Sequence, residues 1–254
     1  MTPQFQPDRY GTRARIGLVY MASSVVMEPE MYAMAADDVS IHTSRLTLPS
    51  VTVDGIDAMM RSPELESAVR LCGQAPLDSM VFGGTSASFL HGTAWDQALI
   101  EKMTEWSPVR STTTSTASLA ALAEVGASKI ALVTPYVPEV VHRAEKFFGS
   151  NGFPVQRSLG LGITSDWELA EVPLEQVYDM CLEVDGDDIS AIFISCTNLR
   201  SVGAIAAIEQ AIGKPVVSAI QASFWHCLNV AGVEGGAAPG YGRLFDAKME
   251  QVRQ

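Results

Sequence analysis

Two apolar runs, each ending in a turn of small polar residues, constrain this chain more than any other feature. Val81-Phe82-Gly83-Gly84-Thr85-Ser86-Ala87-Ser88 and Ile192-Phe193-Ile194-Ser195-Cys196-Thr197-Asn198-Leu199 each read as a buried strand running into a turn. Apolar strand-like runs recur at Arg15 to Tyr20, Ser79 to Phe82, Lys129 to Val133, Ala191 to Ser195 and Pro215 to Ser218. Helix-like stretches lie between them. Ser115 to Gly126 opens on Ser/Thr and closes on glycine, a matched cap pair. Pro138 to Asn151, Leu174 to Glu183 and Val202 to Gly213 behave likewise. Such alternation predicts an α/β fold with parallel sheets.

The strand–turn–helix order appears in both halves. Gly84 and Cys196 fall at equivalent points, 112 positions apart, as in a weak internal duplication. The expected architecture is two pseudo-symmetric Rossmann-like lobes, with the ligand in the cleft between their strand C-termini. Residues 1–112 plus 224–254 are expected to form the N-terminal lobe and 113–223 the C-terminal lobe. A chain of 254 residues with 47% hydrophobic content can fill two such cores. A net charge of −12 argues against a nucleic-acid or anionic-membrane partner. No apolar run is long enough to span a bilayer, and the polar start lacks a signal-peptide pattern. A cytoplasmic protein with reduced thiols is the expectation.

The four cysteines, Cys72, Cys181, Cys196 and Cys227, show no metal-ligand spacing. Cys72, Cys181 and Cys227 lie in helix-like stretches and read as packing. Cys196 opens a turn ahead of the helix expected from Val202, where free N–H groups and the helix dipole can lower a thiol pKa. Burial as a plain core cysteine is the competing reading. Thr85, Ser86 and Ser88 make a hydroxyl-rich turn after Gly83-Gly84, suited to a carboxylate or to helix capping. Tyr136 follows the strand ending at Val133, placed either to donate into the cleft or to pack as a half-buried tyrosine. Gly160-Leu161-Gly162 follows no clear strand and is not a dinucleotide fingerprint.

Several segments together resemble the aspartate/glutamate racemase superfamily, in the branch of arylmalonate decarboxylases and maleate cis-trans isomerases. They are Gly84-Thr85-Ser86, Thr134-Pro135-Tyr136, Leu159 to Thr164, Ser195 to Arg200 and Pro239 to Phe245. The resemblance covers nearly the whole chain. Racemases and maleate isomerases of this group use two cysteines, one per lobe; here Gly84 occupies the first position, as in arylmalonate decarboxylases. Ser23-Ser24-Val25 and Ser165-Asp166 stand where isomerases carry asparagines, whereas Thr197-Asn198 after the cysteine is isomerase-like.

The resemblance implies a cofactor-independent carbon-acid enzyme acting on a small carboxylic acid, with no metal. It implies that Thr85, Ser86, Tyr136 and the amides of Cys196 and Thr197 hold one carboxylate. A second carboxylate leaves as CO2 from a more apolar wall, and Cys196 protonates the enediolate from one face. Val25 and Asn198 are candidate pocket residues, with Leu46 and the surroundings of Trp167 as further wall. Decarboxylation of substituted malonates is the leading reading. Racemisation or maleate-type isomerisation is the alternative, and a non-catalytic acid-binding protein the third.

Overall fold

The computed structural model describes residues 7–245. The first half contains β1 (Ala14–Met21), α1 (Met27–Met34), β2 (Val39–Leu46), α2 (Val53–Arg61), α3 (Pro63–Cys72), β3 (Ser79–Phe82), α4 (Thr85–Phe89), α5 (Thr93–Trp106) and β4 (Ser111–Thr113). The second contains α6 (Thr114–Glu124), β5 (Ile130–Thr134), α7 (Pro138–Ser150), β6 (Val155–Gly160), α8 (Asp166–Leu169), α9 (Leu174–Val184), β7 (Ala191–Ile194), α10 (Ile205–Ile212) and β8 (Val216–Ser218). α11 (Ala219–Ala231) follows.

Two four-stranded parallel sheets result, with strand orders β2-β1-β3-β4 and β6-β5-β7-β8. The orders are the same and the registers correspond. Leu18 pairs with Val81 in one sheet, and Leu132 with Phe193 in the other. The duplication legible in the apolar runs is thus a duplication of topology. In each sheet the chain reverses direction of winding between the two central strands, β1/β3 and β5/β7. That reversal opens a crevice at the strand C-termini.

The central strands are apolar because both faces are covered. β3, β5 and β7 are buried at every residue. Edge strands follow another rule. β6 (VQRSLG) has no fully buried residue, and β4 is three residues of Ser and Thr. Neither has an apolar run, so neither was expected as a strand. β6 corrects the reading of Gly160-Leu161-Gly162, which does follow a strand.

Helix ends follow local chemistry. Thr113 caps α6 by accepting from the Thr116 N–H, and Ser218 with Gln221 forms a reciprocal capping box on α11. Gly213 closes α10 in the left-handed region, at φ 73°. The expected lobe divisions at 112/113 and 223/224 fall inside β4 and α11. α11 packs against α6 and α1 and lies over β1, β3 and β4. Residues 1–6 and 246–254 of the expected N-terminal lobe lie outside the described residues. No helix among the described residues is long and apolar enough to cross a membrane.

Candidate active site

The strand ends place four loops together: Ala22 to Val26 after β1, Gly83 to Ser86 after β3, Pro135 to Val137 after β5, and Ser195 to Val202 after β7. The Gly84 and Cys196 turns meet directly. The Thr197 hydroxyl donates to the Gly83 carbonyl at 2.7 Å. The Tyr20 hydroxyl, at the end of β1, donates to the Thr197 carbonyl at 2.7 Å. Both bonds are buried, and they fasten the first sheet to the cysteine turn of the second.

Cys196 is the only non-glycine among the described residues with positive φ, at 133°. Side chains disfavour that region, at a cost on the order of 1–3 kcal/mol. Such strain persists where the surroundings over-determine it. Here the Asn198 N–H donates to the Cys196 sulfur at 3.3 Å, and Thr197 is held at both its hydroxyl and its carbonyl. Burial pushes the Cys196 thiol up to about 12, against the weaker downward pull of the Asn198 amide. The expectation of a lowered thiol pKa is therefore corrected. α10 starts at Ile205, nine residues on, so no helix N-terminus faces the sulfur. Cys181 and Cys227 are raised equally by burial, and all three remaining cysteines sit in helices as packing. Backbone strain and neighbours, rather than acidity, single out Cys196.

Tyr136 lies against that thiol. Its hydroxyl is within interaction range of Cys196, Ser195 and Thr85, and desolvation pushes its pKa well above the ordinary phenol value. It is therefore a neutral O–H donor. The hydroxyls of Thr85 and Ser195 are buried without a well-formed hydrogen bond. Buried polar atoms are rarely left so, and a catalytic role is one standard reason. Ser86 makes no side-chain hydrogen bond among the described residues and is nearly buried. Ser88 departs from this group: its hydroxyl meets the Gly84 carbonyl at 2.9 Å and Ser115 at 2.6 Å, a structural tie.

Thr85, Ser86, Tyr136, Thr197, Asn198 and Cys196 are thus brought together. The Thr197 hydroxyl is committed to Gly83, which leaves only its amide for a ligand. Asn198 is a brace: its carbonyl oxygen accepts from the Val25 and Val26 amides at 2.9 and 3.2 Å, and its amide donates to the Asp166 carbonyl at 2.6 Å. The Val25 side chain points outward and is 60% exposed, as is Trp167, so neither forms a buried wall. An apolar hollow of about 80 Å³ lies elsewhere, between α2, α3 and α5, lined by Met60, Leu65, Trp95 and Trp106.

Two carboxylates here were given no role by the sequence. Ser23 and Ser24 both donate to Asp166 Oδ2, at 2.6 and 2.7 Å. Glu30 on α1 accepts from the Ser201 amide at 2.8 Å, the Ser201 hydroxyl at 3.1 Å and the Val202 amide at 3.3 Å. The spacing of Met27, Met31 and Met34 puts Glu30 on the buried face of α1, and that signal was available.

Desolvation raises the Glu30 carboxyl from 4.5 to about 7, against the Ser201 and Val202 donors. The folded state therefore holds this proton more tightly than the unfolded chain. Stability from that difference is complete below pH 4.5 and lost as pH rises through 7. Glu30→Gln, which keeps an acceptor, should gain on the native protein by about 2–3 kcal/mol between pH 5 and 8 in urea denaturation. Parallel stability curves would contradict this.

The sequence and the fold are both similar to those of known proteins. The family model described as arylmalonate decarboxylase matches residues 16–245. Arylmalonate decarboxylase of Bordetella bronchiseptica is 37% identical over 212 residues, covering 82% of this chain and 87% of that protein. Maleate isomerase of Nocardia farcinica is 27% identical over 241 residues, covering 91% and 95%. The crystal structure of a doubly substituted arylmalonate decarboxylase in its liganded form superposes with TM-score 0.85 at 33% identity, covering 92% of this chain and 99% of that one. With a model that spans nearly the whole fold and a relative at this identity, the chain belongs to the arylmalonate decarboxylase family of enzymes.

Proposed function

We propose that the protein decarboxylates substituted malonates and protonates the product from one face through Cys196. The observation that carries this reading is the pairing of one strained, buried thiol with glycine on the facing turn. A group titrating near 12 holds its proton at neutral pH, as a proton donor must.

One substrate carboxylate sits against Thr85, Ser86, Tyr136 and the amides of Cys196 and Thr197. Neither amide donates to a protein acceptor among the described residues. The bond from the α-carbon to the second carboxylate breaks, and CO2 leaves. The electron pair moves into the held carboxylate, forming an enediolate that the neutral Tyr136 hydroxyl and the two amides stabilise. The Cys196 S–H proton then transfers to the α-carbon, and solvent restores the thiol. Each of these groups comes from the protein, and a cytoplasmic setting would keep the thiol reduced.

Isomerisation is the second reading, favoured by Thr197-Asn198 and by the maleate isomerase relatives. It requires a second covalent or proton-transfer group, and Gly84 supplies none. Gly84→Cys tests this directly. A Cβ at Gly84 meets the Phe82 ring at 2.6 Å and the Met21 methyl at 3.0 Å, so those side chains must shift. The variant should lose about 1–3 kcal/mol of stability and gain α-proton exchange into both enantiomers of a bound acid in D2O. A folded variant that binds the acid but shows no exchange counts against facing proton donors. The parent reading is tested by CO2 release from a panel of disubstituted malonates, with maleate as the isomerase control.

A further inference from the structure

Asp166 is a nine-tenths buried carboxylate without a cation. It is 8% exposed, and none of the ion pairs among the described residues involves it. Both serine hydroxyls reach the same oxygen, Oδ2, and the Asn198 amide binds the backbone carbonyl instead. Oδ1 has no protein donor among the described residues and is not sealed from solvent. Arg45, which donates to the Met21 and Ser24 carbonyls at 3.0 and 2.7 Å, is paired with Glu28 instead. Asp166 is also close enough to the reacting group to raise the Cys196 thiol further. A carboxylate oxygen left open in this way is a ready acceptor for a positive group on a bound acid.

We infer that Asp166 completes its shell with the substrate, and that its Oδ1 selects an ammonium group on the acid in the cleft. The inference rests on the carbon-acid reading above and narrows its substrate class to 2-amino-substituted malonates. A second carboxylate placed against Asp166 would set two anions together, so the leaving carboxylate points away from this residue. An apolar substituent there would leave the carboxylate bare.

The test uses two acids of nearly equal shape, 2-phenylglycine with an α-ammonium and 2-phenylpropionate with an α-methyl. Their dissociation constants are measured by titration calorimetry on the intact protein and on Asp166→Asn. Asparagine keeps an acceptor for the serine hydroxyls, and the Asn198 contact is to backbone. The native protein should favour 2-phenylglycine by about tenfold, near 1.4 kcal/mol. In Asp166→Asn the ratio should fall to about threefold or less while 2-phenylpropionate binding holds. A purely structural role would weaken both acids alike and leave the ratio unchanged, which overturns the inference. Equal binding of both acids by the native protein overturns it without any variant, and leaves the acid-site reading in place. If neither acid binds and no malonate releases CO2, the underlying reading fails as well.

Discussion

Cys196→Ala is expected to lower product formation from a disubstituted malonate by about 10³-fold in a protein that still folds. The size follows from the role. Without the thiol the held enediolate has no proton donor on its near face, and water must supply the proton. Residual product should then be racemic, since water reaches either face. The φ of 133° adds a second readout. Cys196→Gly relieves backbone strain that Cys196→Ala retains. The glycine variant should therefore be at least as stable as the alanine variant in urea, reversing their usual order. Full activity in either variant would remove Cys196 from the mechanism. A glycine variant clearly less stable than alanine would remove the strain argument but leave the chemistry.

The second large effect is expected at Tyr136. Tyr136→Phe should lower kcat by about 10²–10³, the loss typical of one donor to a developing oxyanion. The ring is nearly fully buried, with Phe89 edge-on at 6.3 Å, so phenylalanine preserves the packing. What is lost is one neutral O–H beside Cys196, Ser195 and Thr85. In the proposed role the donor acts on charge formed in the transition state, so kcat should fall much more than KM changes. Steady-state kinetics separate the two. An effect confined to KM would make Tyr136 a substrate-binding group only.

Much of the framework was legible because burial on both faces leaves an apolar signature. Ile130 to Val133 and Ile192 to Ile194 could be read as central strands for that reason. β2 and β6 could not, since their sequences VSIHTSRL and VQRSLG carry the polar residues of sheet edges. The start of α10 was placed three residues early, at Val202 instead of Ile205. Glu30 reaches across from α1 and holds the Ser201 and Val202 amides in the preceding loop, a tertiary contact that local capping rules do not contain.

The site was legible as a set of turns, and Thr85, Ser86, Tyr136 and Cys196 do converge. Their electrostatics were not legible. A cysteine expected just ahead of a helix suggested an acidic thiol, yet α10 starts nine residues on and burial reverses the direction. Ser23, Ser24 and Asp166 are separated by more than 140 positions, and only the fold makes them one group.

The proposed reaction requires one thiol to deliver one proton to one face. Its most direct measurement is the turnover of a prochiral 2,2-disubstituted malonate in D2O, with enantiomers resolved chromatographically and α-deuterium counted by NMR. A single enantiomer carrying one α-deuterium is expected, with no exchange into product added back. Racemic product, or α-deuterium washed into added product, would contradict it.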